Sequence, residues 1–193
     1  MKKLGIAFRV VPSRYSETGR KKNSPSRLVK AHAAGKAKNA VASVPNGIIL
    51  GADTIVYHRR KIYGKPRNRR QAIRMLSELS GRCHQVYTGI ALYDPESKTM
   101  SCDYAKTFVW FKQLKAGDIM NYLKAIHPLD KAGAYAIQEC PGIVRKIKGS
   151  YTNVIGLPVE LFIRMLRKIY TTKKLRFTAS GNRILHFAGQ HRL

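Results

Sequence analysis

Asp53 is a carboxylate set inside an apolar run, Ile48-Ile49-Leu50-Gly51-Ala52-Asp53-Thr54-Ile55-Val56-Tyr57. A charge there is costly unless a cation, a metal or hydrogen bonds stabilise it. Ligands gather at strand ends in open α/β sheets, so one reading is a fixed negative charge at a ligand site. The other is a carboxylate that satisfies loop amides or caps a turn. Only ten acids occur in 193 residues, which makes one in this place conspicuous. Lys65 lies in Tyr63-Gly64-Lys65-Pro66-Arg67, between two residues that fix the backbone. Such a loop can hold an ammonium against phosphate oxygens; the alternative is a solvated lysine in a lysine-rich chain. Lys36 and Glu17 carry no signal on their own. His84, in Gly81-Arg82-Cys83-His84-Gln85-Val86-Tyr87-Thr88-Gly89, reads as a packing or hydrogen-bonding residue.

Other chemistries are excluded by their motifs. There is no Gly-x-x-x-x-Gly-Lys-Ser/Thr phosphate loop, no nucleophile elbow and no His-Glu-x-x-His. Cys83, Cys102 and Cys140 form no Cys-x-x-Cys pair, which argues against a disulfide framework or a zinc site and suits a reducing cytosol.

The elements that would position these residues alternate. Residues 5–12 read as a strand closed by Pro12, and 13–25 as an exposed loop. Ser26 can cap an Ala-rich helix to about Val44, weakened at Gly35 by roughly 1 kcal/mol relative to Ala. The Asp53 run is a buried strand bounded by Pro45-Asn46-Gly47. Asn68 and Gln71 have capping-box spacing and open a helix with Ile73, Leu76 and Leu79 inward, ended by Gly81. Residues 86–93 and 104–111 read as strands on either side of an Asp94-Pro95 turn. Asp118 can cap a helix carrying Ile119, Tyr122, Leu123 and Ile126. Short strands follow at 134–138 and 142–147, and a last helix starts near Pro158 with Phe162, Met165, Leu166 and Ile169 inward. Interleaved strands and helices predict an α/β fold, a single domain over residues 1–170 with a mixed twisted sheet flanked by helices. Residues 171–193 show no helical pattern and are expected to form a loosely held basic tail.

Charge adds a further constraint. There are 37 Lys plus Arg against 10 Asp plus Glu, a net +27. The bases are spread along the chain, whereas Asp94, Glu96, Asp103, Asp118 and Asp130 crowd into residues 91–130. Such a field attracts nucleotides, nucleic acid or anionic surfaces, unless it reflects a lineage-wide bias towards Lys and Arg. No stretch approaches the roughly 20 apolar residues that cross a bilayer, and Met1-Lys2-Lys3-Leu4-Gly5-Ile6 lacks the apolar core of a signal peptide. A cytoplasmic protein without membrane partners is expected.

Five blocks taken together strongly resemble the Maf family. They are Gly51-Ala52-Asp53-Thr54, Gly64-Lys65-Pro66-Arg67, and Leu79-Ser80-Gly81 with His84 and Tyr87-Thr88-Gly89. Pro128-Leu129-Asp130-Lys131-Ala132-Gly133-Ala134-Tyr135-Ala136-Ile137-Gln138 and Gly149-Ser150-Tyr151-Thr152-Asn153-Val154-Ile155-Gly156-Leu157-Pro158 complete the set, in the family's order. The resemblance implies a fold akin to inosine-triphosphate pyrophosphatases, usually dimeric. It also implies metal-dependent hydrolysis of nucleoside triphosphates to monophosphate and pyrophosphate. By that likeness Asp53 is the general base, and Thr54 and Gln138 mark the branch that prefers dTTP and UTP. Glu17, Lys36 and Lys65 match the remaining polar site positions. Lys36 and Lys65 would then bind phosphate oxygens, with Glu17 and Asp53 holding a divalent cation, Mg²⁺ first and Mn²⁺ as the alternative.

The chain departs from the family at its start. Family members begin with a strand and a Ser-x-Ser-Pro-Arg-Arg loop, whereas Met1-Lys2-Lys3-Leu4-Gly5 matches the segment just after it. Either the true start lies upstream or an edge of the site is lost. Arg20, Lys21 and Lys22 sit in the wrong place to replace that loop, and Ser16 stands where the family has an Asp before Glu17. The competing expectation is a catalytically impaired relative that binds nucleic acid non-specifically through its basic surface.

Overall fold

The apolar and β-branched residues Ile48–His58 form the long strand β2, and the elements around it are arranged to bury both its faces. The computed structural model describes residues 6–17, 24–44, 46–172 and 185–189. In chain order they form β1 (Phe8–Pro12), α1 (Pro25–Ala40), β2, β3 (Lys61–Tyr63), α2 (Arg69–Leu79), β4 (Cys83–Asp94), β5 (Thr99–Phe111), α3 (Ala116–Ala125), β6 (Val144–Lys148), α4 (Tyr151–Val154), α5 (Val159–Thr172) and β7 (Leu185–Gly189). Seven strands make one sheet in the order β1-β7-β2-β4-β5-β6, with β3 paired to β2. It is mixed: β7 runs parallel to β1 and β2, while β2–β3 and β5–β6 are antiparallel. The expected α/β class is therefore observed.

The chain packs as two compact units, Met1–Asp53 with Gly89–Tyr104 and Val159–Leu193, and Thr54–Thr88 with Ala105–Pro158. The first has a core of small and β-branched side chains, Val11, Ala33, Ala37, Ala40, Val44, Ile49, Ala91 and Ala188. That composition lets α1 lie directly on the strands. A Cβ at Gly51 would collide with the Ala33 carbonyl, and one at Gly89 with the Val29 carbonyl. Gly35, a weak point by propensity, has a packing reason, since the Tyr15 ring occupies the space a Cβ would need. The second unit has a bulkier core, including Leu76, Leu79, Val109, Phe111, Tyr122 and Tyr135.

Several sequence expectations need correction. The α1 N-cap is Ser24, with no side-chain cap bond, and Ser26 lies inside the helix because Pro25 takes the first turn. Asn68 caps α2 as expected, accepting from Gln71 N, but Gln71 Oε1 reaches back to Arg67 N at 2.6 Å. Asp118 is the third residue of α3; its carboxylate accepts from the amide of the N-cap, Lys115, at 2.8 Å. The expected strand 134–138 is a 3₁₀ turn at Ala132–Ala134 followed by irregular chain, with positive φ at Gly133 and Ala134. Of the expected exposed loop, Arg14, Ser16 and Glu17 are exposed, but Ser13 is buried. Within the supposed tail, residues 171 and 172 finish α5 and Leu185–Gly189 form a strand flanked on both sides. Arg20, Lys21, Lys22 and Pro45 lie outside the described residues.

Candidate active site

Asp53 lies on β2 with 5% of its surface exposed, where an unpaired carboxylate would be strongly destabilising. Its counter-ion comes from α1. Lys36, 7% exposed, donates to Asp53 Oδ1 at 2.7 Å, to Glu17 Oε1 at 2.8 Å and to the Ala52 carbonyl at 3.2 Å. An ammonium has three N–H donors, and each has an acceptor. The structure thus gathers three of the sequence-predicted residues, Glu17, Lys36 and Asp53, in the first unit. The lysine expected to meet phosphate is committed to the two carboxylates instead.

Two carboxylates sharing one ammonium leave the cluster with one excess negative charge. Burial raises Asp53 above the ordinary aspartate value; the Lys36 charge and hydrogen bond oppose that rise, and the Glu17 charge adds to it. For Lys36, burial favours the neutral amine, but the charges and hydrogen bonds of Asp53 and Glu17 outweigh it and hold the ammonium above its usual 10.5. Lys36 therefore stays protonated at any physiological pH, while Asp53 takes up a proton more readily than an exposed aspartate. A carboxylate of that kind is a stronger base than one in water.

The segment after β1 braces this cluster. Ser13 Oγ donates to the Lys36 carbonyl at 3.5 Å, and Asn39 Oδ1 accepts from Arg14 N at 2.7 Å. Tyr15 packs edge-on against His32, ring centroids 5.7 Å apart. His32 is buried on α1, its charged form would lower the Asp53 pKa, and its Nδ1 has no hydrogen-bond partner among the described residues. Sequence reasoning passed over it, although His32 and Lys36 at i and i+4 share one face of a helix.

Thr54, in the second unit, opens a chain of buried polar groups. Its Oγ1 lies 2.9 Å from Thr88 Oγ1, which donates to the Asn153 carbonyl at 3.0 Å. Asn153 Nδ2 donates to Val86 O at 3.1 Å and Thr107 Oγ1 at 2.9 Å. Thr88, Thr107 and Asn153 are fully buried, and nothing in their spacing gave them away. Lys65 and Gln138 are both exposed, on loops that meet: the Gly133 amide donates to the Gly64 carbonyl at 3.0 Å. Tyr122 Oη accepts from Ala136 N at 3.0 Å, and Lys131 bridges Asp130 and Glu139, each at 3.1 Å. These bonds fix the turn that presents Gln138.

His84 is a core residue, as its surroundings in the sequence suggested. It is 1% exposed, bonds Tyr135 Oη through Nε2 at 3.0 Å and stacks edge-on against Phe111 and Tyr135. No helix among the described residues is long and apolar enough to cross a membrane.

Residues 1–169 match the family described as "Maf-like protein". The dTTP/UTP pyrophosphatase of Citrifermentans bemidjiense is 44% identical over 170 residues, 88% of this chain and 88% of its own. Its counterpart from Pelotomaculum thermopropionicum is 37% identical over 169 residues, covering 87% and 88%. That of Thermosipho melanesiensis is 44% identical over 161 residues, covering 83% and 85%.

Proposed function

The chain belongs to the Maf-like protein family, and from that premise we propose that it hydrolyses dTTP and UTP to the nucleoside monophosphate and pyrophosphate. The observation that carries the reading is the Glu17–Lys36–Asp53 cluster, in which a buried carboxylate of raised basicity is held by an ammonium it shares with a second carboxylate. The relatives' names supply the substrate class.

In this reading Asp53 takes a proton from water as the water oxygen bonds to the α-phosphorus. The α–β anhydride bond breaks, and pyrophosphate leaves with the electron pair. Lys36 fixes the direction of Asp53 and keeps the carboxylate available at neutral pH. Lys65, exposed on its loop, supplies a cation suited to phosphate oxygens. Thr54 and the exposed Gln138 amide, which both donates and accepts, suit a pyrimidine edge that does the same.

A divalent cation fits the donors present. Among the described residues no three His, Cys, Asp or Glu side chains gather, but Mg²⁺ commonly takes one or two carboxylates and completes its shell with water and substrate phosphates. Glu17 and Asp53 would hold it, against the excess negative charge of the cluster, with Mn²⁺ as the alternative. When bound, the ion supplies charge neutralisation to the phosphates. A homodimer, implied by the resemblance, and a cytoplasmic location, expected from the sequence, belong to the same proposal and are tested by sedimentation and by cell fractionation.

Pyrophosphate release from dTTP, UTP, CTP, GTP and ATP, with Mg²⁺, Mn²⁺ or a chelator, tests the whole reading. Turnover is expected for dTTP and UTP with metal, falling about 10²- to 10⁴-fold in Asp53→Asn. Near-normal turnover by that variant would remove Asp53 from the role of base. No turnover of any triphosphate by the wild-type chain would overturn the activity itself.

A further inference from the structure

The outer face of β5 and β6, in the second unit, carries an aromatic and basic surface that the proposed reaction does not use. Side chains alternate along a strand. Thr107, Val109 and Phe111 turn inward and are buried, so Lys106, Phe108 and Trp110 share the opposite face. Across the ladder Phe108 pairs with Lys148 and Trp110 with Lys146. Phe108 and Trp110 are half-exposed, and the three lysines are exposed. The two rings lie 6.2 Å apart, tilted by 34°. Lys106 Nζ sits 5.1 Å from the Phe108 ring and Lys146 Nζ 5.6 Å from that of Trp110. From Ala105 onwards neither strand contains an acid, and β6 is the last strand in the sheet order.

Aromatic faces flanked by lysines are what binds a single strand of nucleic acid: bases stack on the rings while cations meet the phosphates. We propose that this β5–β6 face binds single-stranded RNA or DNA. The charge of +27 complements a polyphosphate chain. Each of the two rings has a lysine directly across the ladder, a repeat of ring and cation along the strand direction. Duplex fits poorly, because its bases are already stacked and the rings gain nothing from its backbone. An acidic protein would engage the lysines but leave the rings without partners.

Trp110 is the chain's one tryptophan, so its emission reports on this face alone. The full chain is titrated with a 12-nucleotide oligo(A), whose base is not that of the proposed substrates, and with the matching duplex and polyglutamate. Quenching of Trp110 by the single strand is expected, with little change for duplex or polyglutamate. Lys146→Glu/Lys148→Glu should weaken oligo(A) binding at least tenfold, and Phe108→Ala about fivefold or more, with dTTP hydrolysis unaltered. Asp53→Asn should bind oligo(A) as the wild type does, which separates this surface from the active site. Binding without a change in Trp110 emission, wild-type affinity in the charge-reversed variant, or equal quenching by polyglutamate would overturn the proposal.

Discussion

Lys36 joins two carboxylates that would otherwise repel each other, and its removal should be felt in both stability and rate. In Lys36→Met, the buried Asp53 and the exposed Glu17 lose their shared ammonium. Breaking one side of a buried pair costs about 3–5 kcal/mol. The sign with pH follows from Asp53, whose folded pKa already lies above the ordinary aspartate value and rises further without Lys36. The folded variant then binds protons more tightly than the unfolded chain, so its deficit is largest at neutral pH and shrinks as pH falls through the folded pKa. Melting curves of wild type and variant between pH 5 and 8 measure this, and the acidic limb of kcat/KM should move to higher pH in parallel. Unchanged melting and an unchanged limb would mean that Lys36 does not hold the carboxylates. At this scale the sequence was partly legible. Asp53 stood out because a charge in an apolar strand demands a partner. Its partner did not, because Lys36 and Glu17 lie 17 and 36 residues away and one lysine among many carries no mark until α1 and β2 are packed.

The packing of α1 on β2 and β4 is the element-level condition for that pair, and it rests on two missing side chains. Gly51→Ala and Gly89→Ala each drive a methyl into an α1 backbone carbonyl, which side-chain rotation cannot relieve. Overpacking of this kind costs about 1–3 kcal/mol. Turnover should fall further than stability alone implies, since the helix that carries Lys36 is displaced. Gly35→Ala meets the Tyr15 ring, a side chain rather than backbone, and recovers up to about 1 kcal/mol of helix propensity, so it should be the mildest of the three. Paired melting and turnover measurements rank them, and equal effects would show that the close approach does not matter. A second element-level prediction concerns His84, held neutral by burial with its pKa pushed down to about 3. The unfolded chain protonates near 6.5, so below that pH it binds a proton the folded chain refuses. Stability should fall with pH by up to about 1.4 kcal/mol per unit, and His84→Gln should flatten this dependence. An identical slope in the variant would place the titration elsewhere. Strands and helices with clear periodicity, such as β2, α2 and α5, were readable in the sequence. The stretch 134–138 was misread, because its apolar residues serve a turn fixed by Tyr122 and Gly133 rather than a ladder.

For the molecule as a whole, the C-terminal strand is where sequence and structure differ most. Leu185–Gly189 lies outside the 1–169 match to the family, and its five residues sit among basic and polar ones that gave no pattern. Yet β7 holds an inner position, paired parallel with Phe8–Pro12 on one side and with Ile48–Gly51 on the other. Buried Ala188 joins the core that contains Val11, Ala33 and Ile49. Parallel pairing between segments so distant in sequence is set by the sheet and not by local propensity, which is why a window-by-window reading treats the segment as tail. Removing residues 173–193 would strip β1 of a ladder partner and open the β2 edge two residues before Asp53. Unpaired strand edges template association, so the truncated chain should aggregate or lose amide protection across residues 8–12 and 48–51, and with it pyrophosphatase turnover. Hydrogen exchange on the truncated chain, with and without a synthetic peptide spanning residues 184–193, tests this directly. Protection and turnover restored by the peptide would identify β7 as the strand that completes the sheet beside the base. A truncated chain with full protection and full turnover would show that the sheet closes without it.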